Sequence, residues 1–152
     1  MPDFLTKAER SVRMSLIRGA NTGPERGMFR MLRRERVYFS RHARGLPGSP
    51  DIVFRRCRLA VFIDGDFWHG RNFDRWRAGL TEFWREKIAA NVRRDRRDRE
   101  RLRALGWHVL RIWGKDIARN PEACVRKVLD RRIHFLRDSE AKPLASRTHL
   151  TA

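Results

Sequence analysis

The residues most able to do chemistry gather around two short apolar runs. Asp51 opens the first, Ile52-Val53-Phe54. The second, Leu59-Ala60-Val61-Phe62-Ile63, ends in Asp64-Gly65-Asp66, with His69 three residues further on. Paired as a hairpin, the end of the second run lies beside the start of the first, within reach of Asp51. Magnesium takes oxygen ligands in a near-octahedral shell, with few of them from protein. Asp51, the Ile63 backbone carbonyl and Asp64 are the expected set. His69 falls in a loop rather than on an apolar face, where a neutral imidazole can accept a proton from water. Glu25 stands three residues after Thr22, the last position of a capping box, which alone accounts for it. Its other reading is a carboxylate that orients water beside the metal.

The charge of the remaining chain says what such a site would act on. In 152 residues, Lys plus Arg number 36 against 18 Asp plus Glu, a formal net charge of +18. A field of that sign attracts polyphosphate through counterion release. Arginine-favouring codon usage and structural nucleic-acid binders give a similar balance, so charge implies nucleic-acid contact and not catalysis. Joined to the acidic, metal-competent cluster, it predicts a metal-dependent nuclease. Cys57 and Cys124 are far apart and lack a C-x-x-C spacing, so buried reduced thiols are expected rather than a disulfide framework or a cysteine zinc site. Asp3, Lys7, Glu9 and Arg10 interrupt the N-terminus too often for a signal peptide, and no run reaches membrane-spanning length. A cytosolic chain is expected, nucleoid-associated in a bacterial host, with no membrane partner.

The elements that must position these groups follow from periodicity. A capping box at Thr6 and apolar Val12, Leu16 and Ile17 predict a helix over residues 7–18, within a helical segment spanning 5–20. A second capping box at Thr22 opens a helix through Met28, Phe29 and Leu32 to about Arg36. Strands are expected over 37–39, 52–54, 59–63 and 107–113, with residues 55–58 as the hairpin turn. Residues 64–80 read as irregular; Thr81 then caps a long helix that Gly106 ends, and a last helix runs over 121–136. This order predicts an α/β fold with a small mixed sheet flanked by helices. Residues 1–137 read as one domain and 138–152 as a mobile tail.

Two features carry both a plain and a functional reading. Phe67, Trp68, Trp76 and Trp84 crowd a basic irregular segment. Trp84 shares helical spacing with Ile88 and suits a core, whereas Phe67-Trp68 in a Gly-containing turn suits an apolar wedge that unstacks a base step. The charged run 93–101 is most simply a solvated helix face, with Asp95 and Asp98 pairing along it. His42, His108 and His134 show no ligand spacing and receive no role.

Taken together, these segments resemble the very-short-patch-repair (Vsr) DNA mismatch endonucleases. The matching pieces are Lys7-Ala8-Glu9-Arg10-Ser11, Met14, Glu25, Leu46-Pro47-Gly48-Ser49-Pro50-Asp51, Val61-Phe62, Gly65 and Phe67-Trp68-His69. They continue through Thr81-Glu82-Phe83-Trp84, Glu86-Lys87-Ile88, Asn91-Val92, Arg94-Asp95-Arg96-Arg97-Asp98, Leu105-Gly106-Trp107, Val109-Leu110 and Ile112-Trp113, spanning about residues 5–118. The resemblance implies a restriction-endonuclease-like core and a magnesium-dependent nick beside a thymine mispaired with guanine, in mismatch repair. It further implies Asp51 as metal ligand, His69 as base, Glu25 as assistant, and Phe67, Trp68 and Trp84 as the wedge. Better-known members carry a structural zinc held by Cys and His. Here the corresponding places are Asp66, Arg71, Phe73 and about Lys115, a set that cannot close a tetrahedral site, so no zinc is expected. A second active-site histidine of those members is replaced by Asp64, whose charge near Asp51 would favour a divalent ion or raise one carboxylate's pKa. The expected partner is double-stranded, mismatched DNA, with mismatch-repair proteins as further candidates and a monomer as the acting unit. The alternatives are a restriction or defence nuclease of the same fold, and a DNA-binding module without catalysis.

Overall fold

A strand that is apolar at every position must have both faces covered, and the run ending at Asp64 is such a strand. The computed structural model describes residues 23–142. Its four strands are β1 (Ser40–Arg41), β2 (Ile52–Phe54), β3 (Leu59–Asp64) and β4 (His108–Trp113), hydrogen-bonded in that order. All six residues of β3 are buried. β1, β2 and β3 pair antiparallel, and β3 pairs parallel with β4 from Leu59↔His108 to Asp64↔Trp113. The helices are α1 (Gly23–Arg34), α2 (Phe73–Trp76), α3 (Glu82–Ala104), α4 (Gly114–Arg119) and α5 (Pro121–Ala141). The fold is therefore the mixed-sheet α/β arrangement read from the sequence. The helix expected over 7–18 and the residues beyond 142 lie outside the described residues.

Side-chain alternation assigns the two faces of the sheet. Leu59, Val61 and Ile63, with Leu110 and Ile112, meet Met28, Phe29 and Leu32 of α1 and Val125 and Val128 of α5 in the main core. Ala60 and Phe62 face the other way, onto Leu102 of α3, with Leu46, Trp107 and Val109 around them. In α1 the buried residues are Glu25, Met28, Phe29 and Leu32, the spacing of one helical face, so Glu25 enters the interior on the same stripe as the core. Among the described residues no helix is long and apolar enough to cross a membrane.

Several boundaries differ from the sequence reading, each for a physical reason. The first strand forms at Ser40–Arg41, not over 37–39, because the ladder can only stand opposite β2, which begins at Ile52. Val37 and Phe39 pack on the core without pairing, and Tyr38 is exposed. Arg36, in a left-handed conformation (φ 55°), turns the chain after α1. The hairpin turn is as expected, with Arg58 at φ 52° and its N–H donating to the Arg55 carbonyl at 3.2 Å. The segment after β3 is not wholly irregular, since α2 and a 3₁₀ turn (Arg77–Gly79) form within it. Thr81 precedes α3 in an extended conformation, but its side chain makes no capping bond. Gly106 ends that helix region with φ +85°, where a Cβ would stand 2.8 Å from the Arg58 guanidinium. β4 runs directly into α4, which periodicity did not reveal. α5 continues through Ala141, past the expected end near Leu136, so residues 138–141 are helical rather than tail. Both cysteines are free and buried.

Candidate active site

Asp51 is held by the ladder on both sides. Its N–H donates to the Val61 carbonyl and its own carbonyl accepts from the His42 N–H, each at 3.0 Å. The carboxylate Oδ2 accepts from the Ile63 N–H at 2.6 Å. The approach to it is tight. Gly48 has φ +74° and lies so close to α3 that a Cβ would meet the Asp98 Cβ at 3.0 Å and the Phe62 ring at 3.1 Å. Burial pushes the Asp51 carboxyl up to about 7. The charges of Glu25 and Asp64 add to that rise, while the Ile63 N–H and His69 oppose it. Asp64 does raise the Asp51 pKa, as the sequence suggested, but loss of solvent is the larger cause.

Glu25 is only 3% exposed in the first turn of α1. Its Oε2 lies 3.7 Å from His42 Nε2, and His42 Nδ1 lies 3.8 Å from Asp51 Oδ1. Glu25, His42 and Asp51 each offer one ligand atom within 4.8 Å of the others. His42 had no role in the sequence reading. What reveals it is register: it sits just past β1, backbone-paired to Asp51, and the eight residues between them hide that pairing from periodicity. Asp64 is committed elsewhere. Its Oδ2 contacts Arg111 Nε at 2.6 Å, and its Oδ1 stands 3.6 Å from His69 Nδ1.

His69 is held through its Nδ1, which lies 2.6 Å from Asp95 Oδ2 and leaves Nε2 as the nitrogen available to the cleft. Burial pulls the imidazole pKa down, but the Asp95 hydrogen bond and the charges of Asp64 and Asp95 more than reverse this, and the net shift is upward. Burial likewise pushes Asp95 up, and its bond to His69 with the nearby Arg94 and Arg111 carries it below the usual carboxylate range. The expectation that Asp95 pairs along a solvated face is thus corrected, since it is the partner of His69. Helical spacing carries the missing signal. Trp84, Ile88, Asn91, Asp95, Asp98 and Leu102 advance by three or four residues along one face of α3. Asn91 on that face donates to the Trp68 carbonyl at 3.0 Å, tying the loop before His69 to the helix.

The aromatics form one connected cluster. Phe67 is 42% exposed and stacks on Trp76 with centroids 5.5 Å apart. It also meets Trp68 edge-on at 5.1 Å, and Trp68 meets Trp84 at 5.5 Å. Trp84, at 8% exposure, braces the cluster from α3, while Phe67 is the member that projects. The loop is pinned on its far side by Arg71, whose Nη1 bridges Asp66 Oδ2 at 3.0 Å and Asp116 Oδ1 at 2.8 Å. The Lys115 N–H donates to the second Asp66 oxygen at 3.0 Å. Asp66 and Asp116 therefore meet in an arginine-centred ion pair that closes the loop against α4.

Asp51, Glu25, Asp64, His69 and Asp95 line a single cleft of about 980 Å³, with Arg26, Arg94 and Arg99 also on its walls. Buried carboxylates need a counter-charge. Among the described residues Asp51 has no arginine or lysine paired with it, and Ile63 lines the cleft beside it. Carboxylate with carbonyl oxygen is the donor chemistry of a hard divalent ion. The residues present fit such an ion.

An acidic cleft at the strand ends of a mixed sheet, with an imidazole–carboxylate pair across it, can hold a divalent cation beside a proton acceptor. The family profile described as DNA mismatch endonuclease Vsr matches residues 2–75. The chain is 41% identical over 115 residues to the DNA mismatch endonuclease Vsr of Escherichia coli (strain K12), covering 74% of each. It is 35% identical over 129 residues to the type II nicking enzyme V.NmeDIP of Neisseria meningitidis serogroup C, covering 83% of this chain and 87% of that one. A third relative, the type II nicking enzyme V.XorIIP of Xanthomonas oryzae pv. oryzae, is 36% identical over 134 residues, covering 86% and 98%. The chain belongs to the Vsr family of DNA endonucleases.

Proposed function

We propose that this endonuclease hydrolyses one phosphodiester of duplex DNA beside a thymine–guanine mismatch, in very short patch repair. The observation that carries the reading is the shared cleft. Asp51 at the head of β2 and His69 beyond the end of β3 line one cavity, with Asp95 bonded behind His69. Asp51, the Ile63 carbonyl and Glu25 would hold magnesium, which when bound neutralises the carboxylates and offsets charge gathering on the phosphate. Asp64 is left out of that set because Arg111 occupies it. His69 takes a proton from the attacking water through Nε2. Asp95 fixes the ring by accepting from Nδ1 and stabilises the imidazolium that forms. Phe67 and Trp68, braced by Trp76 and Trp84, enter the duplex and open the base step at the mismatch. The acting unit is a monomer in the cytoplasm, since a single nick needs one centre.

Two relatives carry the name of nicking enzymes, which favours strand nicking while leaving the sequence preference open. The test is a nicking assay with magnesium on duplexes that differ only by one thymine–guanine pair. Selective nicking of the mismatched duplex, lost in Asp51→Ala and His69→Ala with binding retained, is the expected result. Equal nicking of matched DNA would move the protein to a restriction or defence role. Tight binding without cleavage under every divalent cation tried would leave a DNA-binding module.

A further inference from the structure

We propose that Arg111 is a positioning residue for this centre: by holding Asp64, it reserves the single Nδ1 proton of His69 for Asp95. The inference rests on the nuclease reading above and adds a residue to which no part of that reading assigns a task. β4 carries a charge within an apolar strand. Leu110 and Ile112 point into the main core, and Arg111 between them turns a charge to the opposite face. On that face β3 presents Phe62, directly opposite Arg111 in register, and Asp64, one pleat further along.

The guanidinium reaches three separate groups there. Its Nε lies 2.6 Å from Asp64 Oδ2. Its Nη2 donates to the His69 backbone carbonyl at 3.3 Å and stands 3.7 Å from Asp95 Oδ2. Its plane lies over the Trp113 ring at 4.0 Å, a cation–π contact that restricts the side chain further. Arg111 therefore touches both carboxylates that compete for His69, and the backbone of His69 itself.

The competition is visible in the distances. Asp95 Oδ2 is 2.6 Å from Nδ1 and Asp64 Oδ1 is 3.6 Å from it. One ring nitrogen carries one proton, so only one carboxylate can be its proper partner. With Arg111 in place, Asp64 already has a charge-assisted bond and stays back. Without Arg111, Asp64 is a buried carboxylate with no guanidinium bonded to it, and the donor already standing at 3.6 Å is His69 Nδ1. The ring then turns from Asp95, and Nε2 leaves its direction into the cleft. Lysine cannot replace this function, because a single ammonium cannot serve three acceptors in different directions and stack on an indole.

The test uses the full-length wild type, Arg111→Met, Arg111→Lys and the double variant Asp64→Asn/Arg111→Met. Single-turnover nicking is measured with saturating protein, DNA affinity by titration, and the His69 ring state by ¹⁵N NMR. Arg111→Met should slow nicking on the order of 100-fold, the scale of a misplaced reacting group, with DNA affinity unchanged. Removing the competing carboxylate should then restore at least about tenfold in the double variant, the size of coupling within one network. Arg111→Lys should fall between. The Nδ1 resonance should move in Arg111→Met and return in the double variant, which a merely structural role would not produce. Wild-type nicking by Arg111→Met, or a folded double variant as slow as the single, overturns the proposal. Should Arg111→Met fail to fold, wild-type nicking by Arg111→Lys overturns it. If the wild type nicks no duplex, the nuclease reading fails, and unchanged ¹⁵N shifts in the variants sink the positioning role independently.

Discussion

Replacing Asp51 by asparagine should stabilise the metal-free protein at neutral and alkaline pH while abolishing the nick. Burial raises this carboxyl from 3.8 to about 7, helped by Glu25 and Asp64 and opposed by the Ile63 N–H and His69. A carboxyl whose pKa is higher in the fold than in the unfolded chain favours folding when protonated. Its contribution is fully present below the unfolded value, near 3.8, and is lost as pH rises through about 7. Over roughly three pH units at about 1.36 kcal/mol each, the wild type should lose about 4 kcal/mol relative to a neutral side chain. Against a typical total of about 5–15 kcal/mol, that is a large fraction. Asparagine keeps the shape and an amide oxygen for the Ile63 N–H, so it isolates the charge. The assay is urea denaturation of both proteins with a chelator across this range, because their difference cancels the titrating groups that are not coupled to Asp51. The gap should open above about pH 4, approach its full size near pH 7 and then stay level. A divalent cation should close the gap by stabilising only the wild type. A pH-independent gap, or an asparagine variant less stable than wild type at pH 8, would refute the reasoning.

The remaining predictions concern the base and the wedge. Because His69 must be unprotonated to take a proton and its pKa is raised, nicking should increase as pH rises through that value. Asp95→Asn should move the rise to lower pH, since it removes the strongest upward influence, and should lower the plateau; a rate–pH profile measures both. Phe67→Ala should weaken binding to a mismatched duplex more than to a matched one, read by competition titration. Its thermal midpoint should change little, because this ring is the exposed member of its cluster.

Strand existence was legible because β3 is a continuous apolar run and the turn 55–58 is short, so pairing followed from local sequence. The position of β1 was not. Its two residues are polar, and their only reason to pair is that β2 stands opposite. The same dependence on register concealed His42, whose proximity to Asp51 follows from the pairing of β1 with β2. Asp51 and His69 were legible because an acid or imidazole at the end of an apolar strand adds nothing to the core and stands out from it. Asp95 was not, because nine consecutive residues of charge mask the face they lie on. Only spacing from Trp84 and Ile88 separates an inward carboxylate from its solvated neighbours. Arg111 was hidden for the opposite reason, as one charge inside an apolar strand. Its partner comes from a strand pairing across more than forty residues, which no local pattern encodes.

The distribution of charge also bears on what this cleft can hold. Its floor is anionic, and the guanidinium that reaches it from β4, Arg111, is already committed to Asp64. Asp51 is left to protonate near neutrality unless a cation arrives. Arg99 on its wall faces the reverse problem. Burial pulls the Arg99 guanidinium below its ordinary value and the like charge of Arg111 adds to this, only partly offset by Asp95 and Asp64. An anion beside Arg99 would offset both causes by favouring the charged guanidinium. A basic exterior brings DNA to this mouth through long-range attraction, but the same attraction serves every polyphosphate and selects none. Selection requires a ligand that brings positive charge to the floor and negative charge to the walls in one geometry. A divalent cation bearing a phosphate group has that polarity, whereas free metal satisfies only Asp51 and its neighbours and bare phosphate only the arginines. Cation and DNA should therefore bind cooperatively, each raising the affinity for the other by the same factor.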